Sequence, residues 1–184
     1  LHMGWTHSPS TPGRHETNGI AEREVHHVRS GGSVCLQNAG MLPDMWAWAC
    51  PYFCFACNIS VVDDVSSYKL RHKEHFGGLH LPFGCLVDFM PTPDKLPLLA
   101  KVGGKSVPGI FLGYALKPGG KWDTNRGDYY VCPLADLENI PFKKVSFRLI
   151  ARYQTVKEIV DPVKTGQPFT FPLKPLFDKY TRSL

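Results

Sequence analysis

The feature that most constrains the fold is a change in the spacing of apolar residues at about residue 83. Before it, the spacing predicts helices at 18–29, 34–39 and 45–59, with a break at the glycines near residue 31. After it, glycine and proline turns separate short β-like runs at 83–90, 107–116, 128–133 and 145–153. The 184 residues suffice for one ordinary domain or two small ones. We therefore expect a helical part followed by a β part.

Glu22 lies near the start of the first predicted helix. Ala21, Val25 and Val28 form an apolar stripe at helical spacing, and Glu22 lies at its edge. A carboxylate at the boundary between buried and exposed faces can reach a metal ion or a polar substrate. A glutamate in the first turn also simply favours the helix dipole. The helix alone leaves both interpretations open.

Three stretches around this helix form a recognisable set. They are Thr11-Pro12-Gly13-Arg14, then Asn18-Gly19-Ile20-Ala21-Glu22-Arg23, then Ala39-Gly40-Met41-Leu42-Pro43 followed by Trp46. Together they resemble the end of the catalytic core of a copia-type retrotransposon integrase. The resemblance implies that Glu22 is the catalytic, metal-binding last acid of the D, D, E triad in that family. It also makes Arg14, Asn18 and Arg23 candidates for DNA binding, the two arginines through backbone phosphate.

Two later stretches extend the resemblance to about residues 7–135. Phe83-Gly84-Cys85 matches a family motif, and Pro108-Gly109-Ile110-Phe111-Leu112-Gly113-Tyr114 is similar to a strand of the SH3-like barrel that follows the integrase core. The implied fold is α/β and then β, with C-terminal helices of an RNase H-like core followed by a small SH3-like β barrel.

The expected domain organisation follows from these stretches. Residues 1–60 are the C-terminal part of the catalytic core, 61–80 a polar connector, and 81–160 the SH3-like β domain. Residues 161–184 contain four prolines, which predict an extended tail.

The resemblance implies phosphoryl transfer at DNA ends with Mg²⁺ or Mn²⁺ as cofactor, held by three carboxylates. Glu22 can supply one of them. No aspartate precedes it, and Asp44, Asp63, Asp64 and Asp88 do not match family positions. We expect the isolated chain to lack this activity unless upstream sequence completes the site. The alternative is that Asp63 and Asp64 fold back onto Glu22.

A second set of candidate DNA-binding residues lies in the last third of the chain. Lys143, Lys144 and Arg148 alternate with aromatic residues along a predicted strand pair, and the chain carries a net charge of +5. One face of that pair can meet DNA phosphates. An ordinary charged strand face is an equally good interpretation.

Cysteines and histidines indicate no separate metal centre. Cys50, Cys54 and Cys57 have the spacing of a cluster-binding loop, but helical spacing would place them on one buried face. The six cysteines are read as free thiols of a reducing compartment. His72, with its neighbouring histidines, is interpreted as part of an ordinary surface.

These observations predict a fragment of a retrotransposon integrase that inserts element DNA into host DNA. The alternative is a degenerate or domesticated remnant that acts as a DNA- or protein-binding module without catalysis. No initiator methionine begins the chain, so we expect it to start within a longer protein. We further expect DNA as partner, an oligomer when intact, no membrane span, and a location in the nucleus or cytoplasm.

Overall fold

The computed structural model describes residues 19–91, 106–123, 127–138, 141, 154–157, 159–160, 166 and 168–182. The helices are α1 (Gly19–Ala39), α2 (Trp46–Ile59), α3 (Ser67–His72), α4 (Ala135–Glu138) and α5 (Lys174–Thr181), and a 3₁₀ turn (Pro43–Met45) precedes α2. The strands are β1 (Val61–Val62), β2 (Val65–Ser66), β3 (Leu86–Phe89), β4 (Val107–Ala115), β5 (Asp128–Pro133), β6 (Gln154–Val156) and β7 (Ile159–Val160).

The described chain is a mixed helix and sheet structure. Five strands form an antiparallel sheet in the order β6-β5-β4-β3-β7, and β1 and β2 form a separate hairpin. The expected runs at 83–90, 107–116 and 128–133 are confirmed as β3, β4 and β5. The run at 145–153 lies outside the described residues. The RNase H-like core and the SH3-like barrel both stay predictions.

The predicted break in the first helix is wrong, because α1 is continuous across Gly31 and Gly32. A Cβ atom on Gly31 would overlap the Phe53 ring, and one on Gly32 would lie 2.6 Å from the Cys50 Sγ atom. The two glycines therefore let α1 and α2 approach closely. Packing between the helices outweighs the low helix propensity of glycine, which is about 1 kcal/mol per residue below alanine.

Helices and sheet share a hydrophobic core across the predicted boundary at residue 60. Leu36 of α1 and Met45 pack in one buried cluster with Ile110 and Leu112 of β4. A second cluster joins Phe55 of α2 to the other side of the sheet. The domain boundaries stay a prediction, but the two parts do not have separate cores.

Two segments have more structure than the sequence predicts. The connector contains the β1–β2 hairpin and α3, and its buried Tyr68 donates a hydrogen bond to the carbonyl oxygen of Trp122 at 3.2 Å. The tail was expected to be extended, but its described part forms α5. Leu173 is buried beside that helix, and the Leu86 N–H donates to the Thr170 carbonyl at 2.8 Å. The expectation of an extended tail is therefore wrong for these residues.

The three cysteines of α2 do not form one buried face. Cys50 and Cys54 are half-buried and Cys57 is exposed. Cys50 lies against Gly32 of α1, whereas Cys54 lines a cavity beside α3, so the three thiols do not share one buried surface. Across the described ranges, no helix is both long enough and apolar enough to cross a membrane.

Candidate functional site

Glu22 lies on the exposed first turns of α1. The side chains from 19 to 27 are all exposed, including Ala21 and Val25 of the predicted apolar stripe. Contact with α2 begins further along, where the His27 and Phe53 rings lie 5.2 Å apart and Cys50 donates a weak hydrogen bond to the Val28 carbonyl. The buried face of α1 consists of Gly32, Leu36 and Ala39 instead. The predicted stripe is therefore wrong, because the side of α1 that packs in the core is the one carrying Gly32, Leu36 and Ala39.

The structure places only two of the predicted site residues. Glu22 and Arg23 are neighbours on α1, and both are exposed. The remaining candidates lie outside the described residues: Arg14, Asn18, Lys143, Lys144 and Arg148. Their approach to Glu22 and to DNA thus stays a prediction.

The described residues do not by themselves fit a two-metal centre. Nowhere in the described ranges do three or more histidine, cysteine, aspartate or glutamate side chains form a group that could hold a metal ion. Asp63 and Asp64 form the tight turn between β1 and β2, with φ of 50° and 64°. Glu22 alone does not form a metal site, so its role as a metal ligand stays a prediction and no reaction step follows from it.

Three segments that carry the family resemblance meet in the core. They are 39–43, 83–85 and 108–114, and we call them the motif segments. Gly84 packs on Ala39 so closely that a Cβ atom there would overlap the alanine. The Gly84 N–H donates to the Phe111 carbonyl at 2.8 Å, and the Phe111 N–H donates to the Cys85 carbonyl at 3.0 Å. Residues far apart in sequence thus form one packed unit.

Tyrosine hydroxyl groups hold the loop that leads into β3. Tyr114 donates to the Leu79 carbonyl at 2.8 Å and accepts from the Leu81 N–H at 3.3 Å, while Tyr52 donates to the Leu81 carbonyl at 2.9 Å. Burial raises the pKa of both tyrosines above the ordinary value. The hydroxyls therefore remain protonated near neutral pH and act as structural hydrogen-bond donors.

A cavity lies between α2, α3 and the turn that follows β4, and Glu22 is not among the described residues that line it. This cavity has a volume of about 420 Å³, and Arg71 and His72 line it together with the aromatic ring of Tyr68. Sequence reasoning missed it, because its walls come from three segments with no common spacing. The only signal was His72, which had been assigned to an ordinary surface.

Comparisons with known proteins do not extend the family resemblance. Searches against protein-family models, curated protein sequences and solved structures each returned no match. The function is therefore argued from the residues and their geometry.

Proposed function

We propose that the chain is the C-terminal part of an integrase of a copia-type retroelement. The intact protein inserts element DNA into host DNA by strand transfer, and Glu22 contributes one carboxylate to its Mg²⁺ or Mn²⁺ site. The described residues supply no complete site, so the other ligands belong to upstream sequence in this proposal. The position of Glu22 fits that role, because an exposed first turn leaves the carboxylate accessible to groups from another part of the protein.

The observation that carries the proposal is the convergence of the motif segments. Apolar segments pack in a core for physical reasons alone, so the support comes from the specific contacts between the segments. Here Gly84 lies against Ala39, and β4 bonds to the segment around Gly84 and Cys85 through backbone hydrogen bonds. Segments inherited as one structural unit are expected to pack in this way.

The second candidate is a binding module without catalysis. The sheet supports it, because Phe89, Phe111 and Val131 are fully buried in a substantial core that the sheet shares with α2. A remnant with such a core can remain folded after its catalytic residues are lost.

DNA binding is common to the integrase and to a DNA-binding module, and it is tested by measuring the affinity of the 184-residue chain for duplex DNA. We expect Lys144→Glu with Arg148→Glu to weaken binding to all sequences alike. Removing two phosphate contacts should lower the slope of log affinity against log salt by about two. Charge reversal of the exposed Lys179 and Arg182 is the matched control. Unchanged affinity of the first variant at low salt contradicts DNA binding by these residues.

A further inference from the structure

Two adjoining cavities form a groove beside α2. The first has a volume of about 420 Å³ and the second about 210 Å³, and Pro51, Phe55 and Leu116 line both. We call the pair the α2 groove. Its combined size lies within the range of about 300–1,000 Å³ that is usual for small-molecule sites.

The first cavity has a polar wall that is largely exposed to solvent. Ser67 and Arg71 lie one turn apart on α3, and Asn58 of α2 and His72 complete the wall. Within the described part of the chain, none of these side chains has a hydrogen bond or an ion pair, while His72 packs its ring on Tyr68 at 4.6 Å between ring centroids. The wall therefore offers donors and acceptors to a ligand.

Charge pairing around the first cavity favours an anion at Arg71. Lys117 pairs with Asp123, and Lys121 pairs with Glu74 at 3.1 Å. No described acid pairs with Arg71, so its guanidinium group is available. Guanidinium groups bind phosphate through two parallel hydrogen bonds, which makes a phosphate a good match.

The second cavity is aromatic. Trp48 and Tyr130 lie with ring centroids 5.5 Å apart, and the Tyr52 and Tyr114 rings stack nearly parallel on the same side. Gly113 also lines this cavity, and its φ of +146° is rare for other residues. Aromatic walls can hold planar rings, because nucleic-acid bases stack on aromatic side chains.

We propose that the α2 groove binds a nucleotide of an unpaired nucleic-acid strand. The base enters the aromatic cavity, and Arg71 binds the adjoining phosphate. The inference rests on the proposed function in one respect, namely that the protein handles nucleic-acid ends. It adds a site for a single strand, and Glu22 is not among the described residues that line it.

Fluorescence anisotropy with a labelled oligothymidylate tests the site in the full chain. We expect Arg71→Gln to weaken binding about tenfold, because the variant loses the charged hydrogen bonds to the phosphate. Lys73→Gln is the matched control, because it removes an exposed positive charge from just after α3 but does not line the groove. We expect less than a twofold change there. Equal losses in the two variants overturn the proposal.

A second variant tests the shared wall. Leu116 is exposed and lines both cavities, so Leu116→Glu should leave the fold intact and reduce strand binding about tenfold by repelling phosphate. Unchanged binding overturns the proposal. Thymidine monophosphate is the competitor. We expect it to displace the strand only weakly, and equal affinity for both would identify a free nucleotide as the ligand and overturn the strand proposal.

Failure of this proposal is distinguishable from failure of the proposed function. Duplex binding through Lys144 and Arg148 should not change in Arg71→Gln. Suppose that the chain binds the oligothymidylate through Arg71 but the protein extended upstream lacks strand transfer. The groove proposal then stands and the integrase proposal fails. Strand transfer without oligothymidylate binding through Arg71 contradicts the groove proposal alone.

Discussion

Gly84 packs directly against Ala39, and this contact joins the end of α1 to the sheet. A Cβ atom on Gly84 would overlap the Ala39 Cβ and lie 3.2 Å from its Cα, and the φ of Gly84 is +77°. Gly84→Ala should therefore lower the free energy of unfolding by about 2–4 kcal/mol, from backbone strain and overpacking together. Gly119→Ala is the control, because Gly119 also has positive φ but has no neighbour within 4 Å. Urea unfolding that gives equal losses for the two variants contradicts the close packing.

Leu173 should anchor the tail to the core. It is 4% exposed, whereas Leu176 on α5 is 50% exposed. We expect Leu173→Ala to lower the free energy of unfolding by about 2–5 kcal/mol and Leu176→Ala by less than about 0.5 kcal/mol. Denaturant unfolding measures both. Similar small losses would mean that the tail does not dock.

Gly32 and Cys50 should be energetically coupled. A Cβ atom on Gly32 would lie 2.6 Å from the Cys50 Sγ, so Gly32→Ala introduces a steric clash. The same substitution raises the helix propensity by about 1 kcal/mol, which partly offsets the clash. In a double-mutant cycle, Cys50→Ala should remove the clash and give a coupling free energy of about 1 kcal/mol. Additive effects would show that α1 and α2 do not meet at this point.

Stability should fall in alkaline solution because of Cys85. Burial raises the pKa of this thiol from 9.0 to about 12. Between these values the unfolded chain loses the proton and the folded chain keeps it, so the stabilisation is complete below about pH 9 and decreases as pH rises. The expected slope is up to about 1.4 kcal/mol per pH unit.

Unfolding by urea at a series of pH values between 8 and 11 checks this slope. Cys85→Ala removes one titrating group and should reduce the slope by up to about 1.4 kcal/mol per pH unit. Part of the slope should remain, because burial also raises the pKa of Cys35 to about 11. Parallel curves for the variant and the natural protein would exclude Cys85 as the cause.

Part of the fold could be predicted from local sequence. The strands β4 and β5 were predicted almost to their ends, because apolar runs bounded by glycine and proline turns have few other solutions. The continuity of α1 could not be predicted from local sequence, since it depends on contacts of Gly31 and Gly32 with a helix that comes later in the chain. The prediction of an extended tail was wrong because its prolines were taken to exclude a helix. Pro175 lies in the first turn of α5, where proline is tolerated.

The candidate site was only partly accessible from sequence. Glu22 was found through a motif, and the structure adds that it lies on an exposed turn. The α2 groove could not be found in this way, because Arg71, Trp48 and Leu116 have no common period and meet only through the packing of α2 on β4.

The role of Glu22 is tested most directly by strand transfer in the protein extended upstream by its own reading frame. We expect two acids on upstream strands, and activity with Mg²⁺ or Mn²⁺ that falls at least about a hundredfold in Glu22→Gln. Glu24→Gln, which alters an equally exposed glutamate on the same helix, should remain active. Equal activity of the two variants, or an upstream frame without the two acids, would contradict the assignment of Glu22 as an integrase carboxylate.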